Sequence, residues 1–294
     1  MDFLTKNTFK VVGKLVSQDL KVGQRKDGKG GFISGNAVVV ANLDGRENEF
    51  EISFFTNQST KDGKESQLFT SYSKLGDLVG KKIEVSGDIR ESRFWSSNAN
   101  QMVSSQKLSG RFVRGVAETT EDEASFELGG FVVEELVEKK NKDNDVYRYD
   151  LTLGQANYKG DNMSRFIVHV NPSAIEIKRG VEQYHVGQTV EVYGDLRFIV
   201  TKSTVEQKNE GGFGAPIVRT YVNKQHNFFI TGGTAAITDA AKGMYPSDVI
   251  RSLVGAYKAR DTELMNDVKS SSSSSSASPV EEETKISFRQ NSLI

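Results

Sequence analysis

The chain has no cysteine, which excludes disulfides and thiolate metal sites and makes a cytoplasmic location the simplest expectation. Its three histidines, His169, His185 and His226, lack ligand spacing, so no metal site is expected. No apolar run approaches the ~20 residues of a membrane span. Met1–Lys10 carries a lysine but no apolar core follows it, so no signal peptide is expected either. A phosphate-binding loop of the P-loop type is missing, because Gly28, Gly30 and Gly31 lack the lysine and the strand–helix context. Glu84/Asp88 and Glu191/Asp195 recur at spacing four, but on a strand such carboxylates lie ~13 Å apart, too far to share a proton. They read as neighbours of Arg90 and Arg197. Neither an enzyme nor a cofactor is expected.

A strong charge of one sign is missing too, the net being −1. It is unevenly placed. Met1–Gly115 holds 18 Lys/Arg against 13 Asp/Glu (+5), and Ser125–Ala235 holds 13 against 14 (−1). Val116–Ala124 is −4 through Glu118, Glu121, Asp122 and Glu123. This argues against an indiscriminate basic binder but leaves local patches for a polyanion.

What is present is a repeat. Gly80–Trp95, GKKIEVSGDIRESRFW, returns as Gly187–Ile199, GQTVEVYGDLRFI, 107 positions later (187 minus 80). The shared pattern is an internal duplication. Ile83, Val85 and Ile89, and then Val190, Val192, Leu196 and Phe198, alternate with polar residues, so each block is a half-buried strand. Gly87 and Gly194 in mid-strand predict a bulge or tight bend.

Around the first block, Phe9–Val16 reads as a strand, Gly23–Gly31 as a basic glycine-rich loop, and Asn36–Asn42 and Asn48–Phe55 as a hairpin about Asp44-Gly45. Leu68, Phe69, Tyr72, Leu75 and Val79 have helical spacing. Ser96–Ser105 reads as a polar loop and Gln106–Val113 as the closing strand. The second copy repeats this order. Phe126–Val133 matches Phe9–Val16 at an offset of 117, Val146–Leu153 and Met163–Val170 flank a turn, Ser173–Tyr184 holds a short helix, and Val218–Thr231 closes after the glycine-rich Asn209–Ala215. The order β-β-β-α-β-β with a central glycine is the OB-fold arrangement. The expected fold is therefore all-β with minor α, two tandem OB-fold barrels followed by a C-terminal helix and a disordered tail. Expected boundaries are 1–115 and 125–235 for the barrels, 116–124 for an acidic linker, 236–269 for a helical segment starting at Pro246, and 270–294 for a Ser-rich linker and acidic tail.

Single strands are bound by cationic grooves lined with aromatic platforms. In the first unit Arg25, Lys26 and Lys29 occupy the glycine loop; Arg90, Arg93, Phe94 and Trp95 lie together on the fourth strand; Lys107 and Arg111 lie on the fifth; Phe32 and Phe55 are candidate exposed rings. Phe94 and Trp95 face opposite ways, so one belongs to the core, and which one stays open. The second unit offers Arg165, Arg197, Lys202 and Arg219, with Tyr147 and Tyr149 on one face either as a stacking pair or as barrel lining.

The stretch KLGDLVGKKIEVSGDIRESRFW resembles the corresponding block of bacterial single-stranded DNA-binding proteins, in which a strand V-x-V-x-G-x-L-R-x-R-x-W carries basic and aromatic DNA contacts. Gly87 and Arg90 fall on that pattern. The family's second arginine falls on Ser92, beside Arg93, and its tryptophan on Phe94, beside Trp95. In the second copy Gly194, Asp195, Leu196 and Arg197 match, but Thr201 stands at the aromatic position. The resemblance implies sequence-independent binding of single-stranded DNA in replication, recombination or repair, with a homodimer sufficient to assemble four OB folds. It also implies a tail, here Glu281, Glu282, Glu283, Leu293 and Ile294, that recruits replication or recombination proteins. The tail departs from the family by lacking its aspartates and its Pro-Phe ending. The chain looks like the divergent two-barrel members found among phages, which would place it in the host cytoplasm. Two other readings stay open: a structural or adaptor protein of tandem β-barrels, and an RNA-binding OB-fold protein.

Overall fold

The computed structural model describes residues 3–25, 30–60, 62–96, 100–207 and 217–273, and only the backbone of 199–207, 217–219, 221–226 and 268–273. The protein is mostly β. Its strands are β1 (Asn7–Gln18), β2 (Lys21–Gln24), β3 (Gly31–Leu43), β4 (Arg46–Asn57), β5 (Lys82–Ser96), β6 (Gln101–Gly115), β7 (Glu123–Lys140), β8 (Val146–Ala156), β9 (Met163–Val170), β10 (Thr189–Gln207) and β11 (Ile217–Gly233). Helix α1 (Gln67–Ser73) precedes β5, α2 (Ile175–Val181) precedes β10, and α3 (Ser247–Ser273) ends the described chain.

All 11 strands join one sheet. Within the first half the pairings run β1–β3–β4–β6–β5 and return to β1, with β4–β6 parallel and the others antiparallel. The second half repeats this as β7–β8–β9–β11–β10 and back to β7, its parallel join being the single pair His169↔Phe229.

The halves meet along β1 and β7, where Phe9 stands opposite Phe126. These residues match under the duplication, so the junction has a local two-fold character. Each also stands opposite the mid-strand glycine of its own half, Phe9 with Gly87 and Phe126 with Gly194. The register shifts there, between Ser86 and Gly87 and between Tyr193 and Gly194, as a bulge requires. A Cβ on Gly87 would lie 2.0 Å from the Ser109 carbonyl oxygen, and one on Gly194 would lie 1.9 Å from that of Phe229. The close approach of the partner strand is what demands glycine.

One apolar core runs through both halves. Phe50 of β4 meets Phe198 of β10 at 5.1 Å between centroids, and Phe198 meets Phe228 at 6.0 Å. A second cluster seats α3: Tyr245, Leu253 and Tyr257 pack on Phe131, Ala156 and Met163.

Three local expectations are corrected. β5 and β6 pair continuously out to Ser96↔Gln101, so Ser96–Ser105 is mostly ribbon rather than loop: polar residues serve as strand when both faces leave the core. Gly23 and Gln24 belong to β2, an added edge strand on β3. Helix α3 continues through Ser270–Ser273, past the expected boundary at 269.

Candidate nucleic-acid interface

Alternation along the strands sorts the candidate residues by face. On β4, Ile52 and Phe54 are buried, which turns Ser53 and Phe55 outward; on β3, buried Ile33 turns Phe32 outward. The Phe32 and Phe55 rings lie 5.9 Å apart at 32°, and Phe55 is 57% exposed. Because Phe54 pairs with Gly110, Arg111 follows beside Phe55 on the neighbouring strand. Arg111 is exposed and held by Asp88 at 2.6 Å. Arg90 of β5 stands opposite Lys107 of β6; both are exposed, and neither makes an ion pair among the described residues. Four residues on, Phe94 lies on the same outward face, 47% exposed. This face is therefore one continuous surface: two rings in contact, three cations, and a third ring further along the ribbon.

Tyr72 of α1 supports it from beneath. Its buried hydroxyl shares its one proton between the carbonyls of Gly110 and Arg111, at 3.0 and 2.8 Å. Burial pushes that phenol up to about 12, while Arg111 and Arg90 pull the other way.

Other candidates are placed apart from this surface. Trp95 and Arg93 are on the opposite side of the ribbon, with Glu91, and both are partly buried. Arg93 is taken up by α3: its Nε donates to Asp261 at 2.7 Å, its Nη2 donates to the Tyr257 carbonyl at 2.9 Å, and its guanidinium lies 3.5 Å from the Tyr257 ring centroid. Arg165 of β9 pairs with Glu134 at 2.9 Å. Arg197 pairs with Asp44 at 2.7 Å and Asp195 at 3.2 Å. Tyr147 is exposed with Arg148 over its ring at 5.5 Å, whereas Tyr149 is buried against Lys178, so of this pair Tyr149 is lining.

Arg25 directly follows β2, its N–H donating to the Gly30 carbonyl at 3.1 Å. Lys26 and Lys29 lie outside the described residues, as do Glu281, Glu282, Glu283, Leu293 and Ile294. Lys202 and Arg219 are described in backbone only, opposite Val222 and Val205.

The matching face of the second half is closed on itself. Asp150 accepts from His169 at 2.7 Å, and Arg148 Nε lies 2.9 Å from the same carboxylate. Burial pushes the Asp150 carboxyl up, but the His169 hydrogen bond and the charges of His169, Arg148 and Lys139 outweigh it and hold the group below its ordinary value. Sequence reasoning missed Glu91, Tyr257 and Asp261. Tyr257 reads as one residue of an apolar helical stripe, and Asp261, four positions on, falls on the same helix face. Among the described residues no cluster of His, Cys, Asp and Glu has metal-binding geometry.

The molecule is thus a mostly-β protein with two paired-strand rings, one of which carries an open cationic and aromatic face. A family model described as YorF matches residues 6–271, and the chain belongs to that family. No curated protein matches it. Among solved structures it is similar to a deletion mutant of the single-stranded DNA binding protein from Thermus aquaticus, at 12% identity and TM-score 0.48, over 83% of this chain and 98% of that one. The wild-type Thermus aquaticus protein gives 13% and 0.46, over 80% and 95%. A replication protein A heterotrimer bound to single-stranded DNA gives 12% and 0.22, over 76% and 49%. Scores of this size assign neither fold nor ligand.

Proposed function

We propose that the protein binds single-stranded DNA without strong sequence preference, through the outer face of its first half. Each ring of five strands is read as an OB barrel, a closed Greek-key circuit whose second and third strands and adjoining loops receive oligonucleotides. Under that reading β3 and β4 are the second and third strands, and Phe32 and Phe55 stand on them. The observation that carries the proposal is the juxtaposition of the Phe32–Phe55 ring pair with Arg90, Lys107 and Arg111 on one exposed surface. Rings stack on any base, at ~1–3 kcal/mol each, and the cations neutralise phosphates, adding a salt-sensitive term.

The strand would run over Phe55 and along the β5–β6 ribbon toward Phe94, with no cofactor and no chemical step. Coating of this kind serves replication, recombination or repair, and the 281–294 segment is proposed to recruit proteins of those processes. The test is fluorescence anisotropy of an oligo-dT of about 30 nucleotides, in a salt titration with duplex DNA as competitor. Sub-micromolar affinity that falls steeply with salt and resists duplex supports the proposal. Absence of binding at low salt ends it, and preference for RNA of equal length would move the protein to the RNA-binding reading.

A further inference from the structure

Beyond the pair Ile89↔Leu108, the last with both residues buried, β5 and β6 continue as a two-stranded ribbon to Ser96↔Gln101. A two-stranded ribbon is marginally stable by itself. Its outer face carries Arg90, Phe94 and Lys107; its inner face carries Glu91, Arg93 and Trp95, and α3 lies there. Arg93 is held by α3, with a carboxylate from Asp261, a carbonyl from Tyr257 and the Tyr257 ring centroid 3.5 Å from its guanidinium, and its side chain is 10% exposed. The Tyr257 hydroxyl donates to Glu91 Oε1 at 2.6 Å, and the other oxygen of Glu91 accepts from the Arg165 backbone N–H at 2.9 Å. Gln106 accepts from the Ile167 N–H. The ribbon of the first half is thereby tied at once to α3 and to β9 of the second half.

We propose that α3 is a strut that holds the β5–β6 ribbon in position for the strand, with Tyr257 and Asp261 as positioning residues that act through Arg93. The inference rests on the reading of single-stranded DNA binding above. A strut fits better than a removable lid, because Tyr245, Leu253 and Tyr257 are buried in one cluster with Phe131, and undocking the helix would expose that cluster. Burial and the Glu91 hydrogen bond hold the Tyr257 phenol well above its ordinary value, so it remains a donor at neutral pH. Phe94 and Arg90 are on the far face, and α3 leaves them open.

The full-length chain and its Tyr257→Ala, Asp261→Ala and Tyr257→Phe variants are compared on oligo-dT of about 8 and about 30 nucleotides. The short oligomer needs only the Phe32–Phe55 surface, so its affinity is expected to hold in all variants. The long one is expected to bind about tenfold more weakly in Tyr257→Ala and Asp261→Ala, the scale of one misplaced ring, with an unchanged salt slope because no phosphate contact is lost. Tyr257→Phe keeps the ring under Arg93 and should restore most of the affinity. Trp95, the single tryptophan, reports the ribbon without DNA, and its acrylamide quenching should rise in the two alanine variants.

Tighter binding in those variants would make α3 a competitor for Arg93 and overturn the strut. Equal loss at both lengths would do so too, since that is general destabilisation. Unchanged quenching of Trp95 overturns it whether or not DNA binds. A wild-type chain that binds neither oligomer fails the functional reading instead, and the quenching still decides whether α3 orders the ribbon.

Discussion

Set in register, the two halves differ most where they should match. Val168 stands opposite Leu151 as Ile52 stands opposite Ala37, so His169 and Asp150 hold the places of Ser53 and Asn36. By the same count Asn171 holds the place of Phe55. On the ribbon strands, Arg197 holds the place of Arg90, Asn227 that of Lys107 and Thr201 that of Phe94. The first half carries exposed rings on this face, with Arg90 and Lys107 making no ion pair among the described residues and Arg111 held by Asp88. The second lacks the rings on this face and pairs its cations, Arg148 with Asp150, and Arg197 with Asp195 and with Asp44 of the first half. A duplicated scaffold can divide labour in this way: one copy keeps the surface for a ligand, and the other is free to become support.

The features both halves retain should break both when removed. Gly87→Ala and Gly194→Ala each drive a methyl into a partner-strand carbonyl, 2.0 and 1.9 Å from the oxygen as the backbone stands. Each is expected to destabilise by about 3 kcal/mol, the upper end of overpacking, and to lower Tm by roughly 10 °C. Thermal melts of the two variants measure this. A loss confined to one half would end the equivalence of the bulges.

The features proposed to face the ligand should break binding only in the first half. Phe55→Ala and Phe94→Ala are each expected to weaken single-stranded DNA binding by about 1–3 kcal/mol, roughly 5- to 150-fold, with melting temperature little changed. Titration of the same labelled oligo-dT measures it. Equal weakening by Tyr147→Ala would show that the second half shares the ligand.

The buried carboxylate makes the halves unequal toward acid. Asp150 is depressed when folded and ordinary, at roughly 3.9, when unfolded. Its contribution is therefore complete above the unfolded value and is lost as pH falls through the lower, folded one. Asp150→Asn is expected to cost about 1–3 kcal/mol at pH 7 and progressively less below about pH 5. Urea unfolding of both proteins across that range checks the sign. A cost that grows on acidification would contradict the depressed value.

Much of this contrast was legible in the residues. Period-two alternation and the repeated glycine located the strands and the bulges, and the outward directions of Phe55 and Arg90 follow from the buried neighbours of each. What stayed illegible was set by partners distant in sequence. Arg90 and Arg197 occupy the same motif position, yet Arg197 is closed by Asp195 beside it and by Asp44, 153 residues away, whereas Arg90 makes no ion pair among the described residues. Arg93 and Trp95 are basic and aromatic by residue type, yet a helix more than 160 residues downstream claims Arg93. Composition reports what a side chain is able to do; the register of strands decides what it meets.

Arg197 gives the finest test of the comparison. Its carboxylate partners are accessible, with the Asp44 side chain 81% exposed, and pairs of this kind are worth below about 1 kcal/mol. Arg197→Ala should therefore barely move stability, and it should leave both the affinity for single-stranded DNA and the salt slope as they are. Arg90→Ala, at the matching position, should lower that slope by about 1, as loss of one phosphate contact does. Asp44→Ala leaves the Arg197 guanidinium with Asp195 as its remaining partner and should strengthen binding slightly, by less than about threefold. Salt titrations of the three variants decide the matter. If Arg197→Ala and Arg90→Ala lose the same slope, the second half also contacts the strand, and its ion pairs open when DNA arrives. If only Arg90→Ala does, the neutralisation of the second half is permanent, and the ligand belongs to the first.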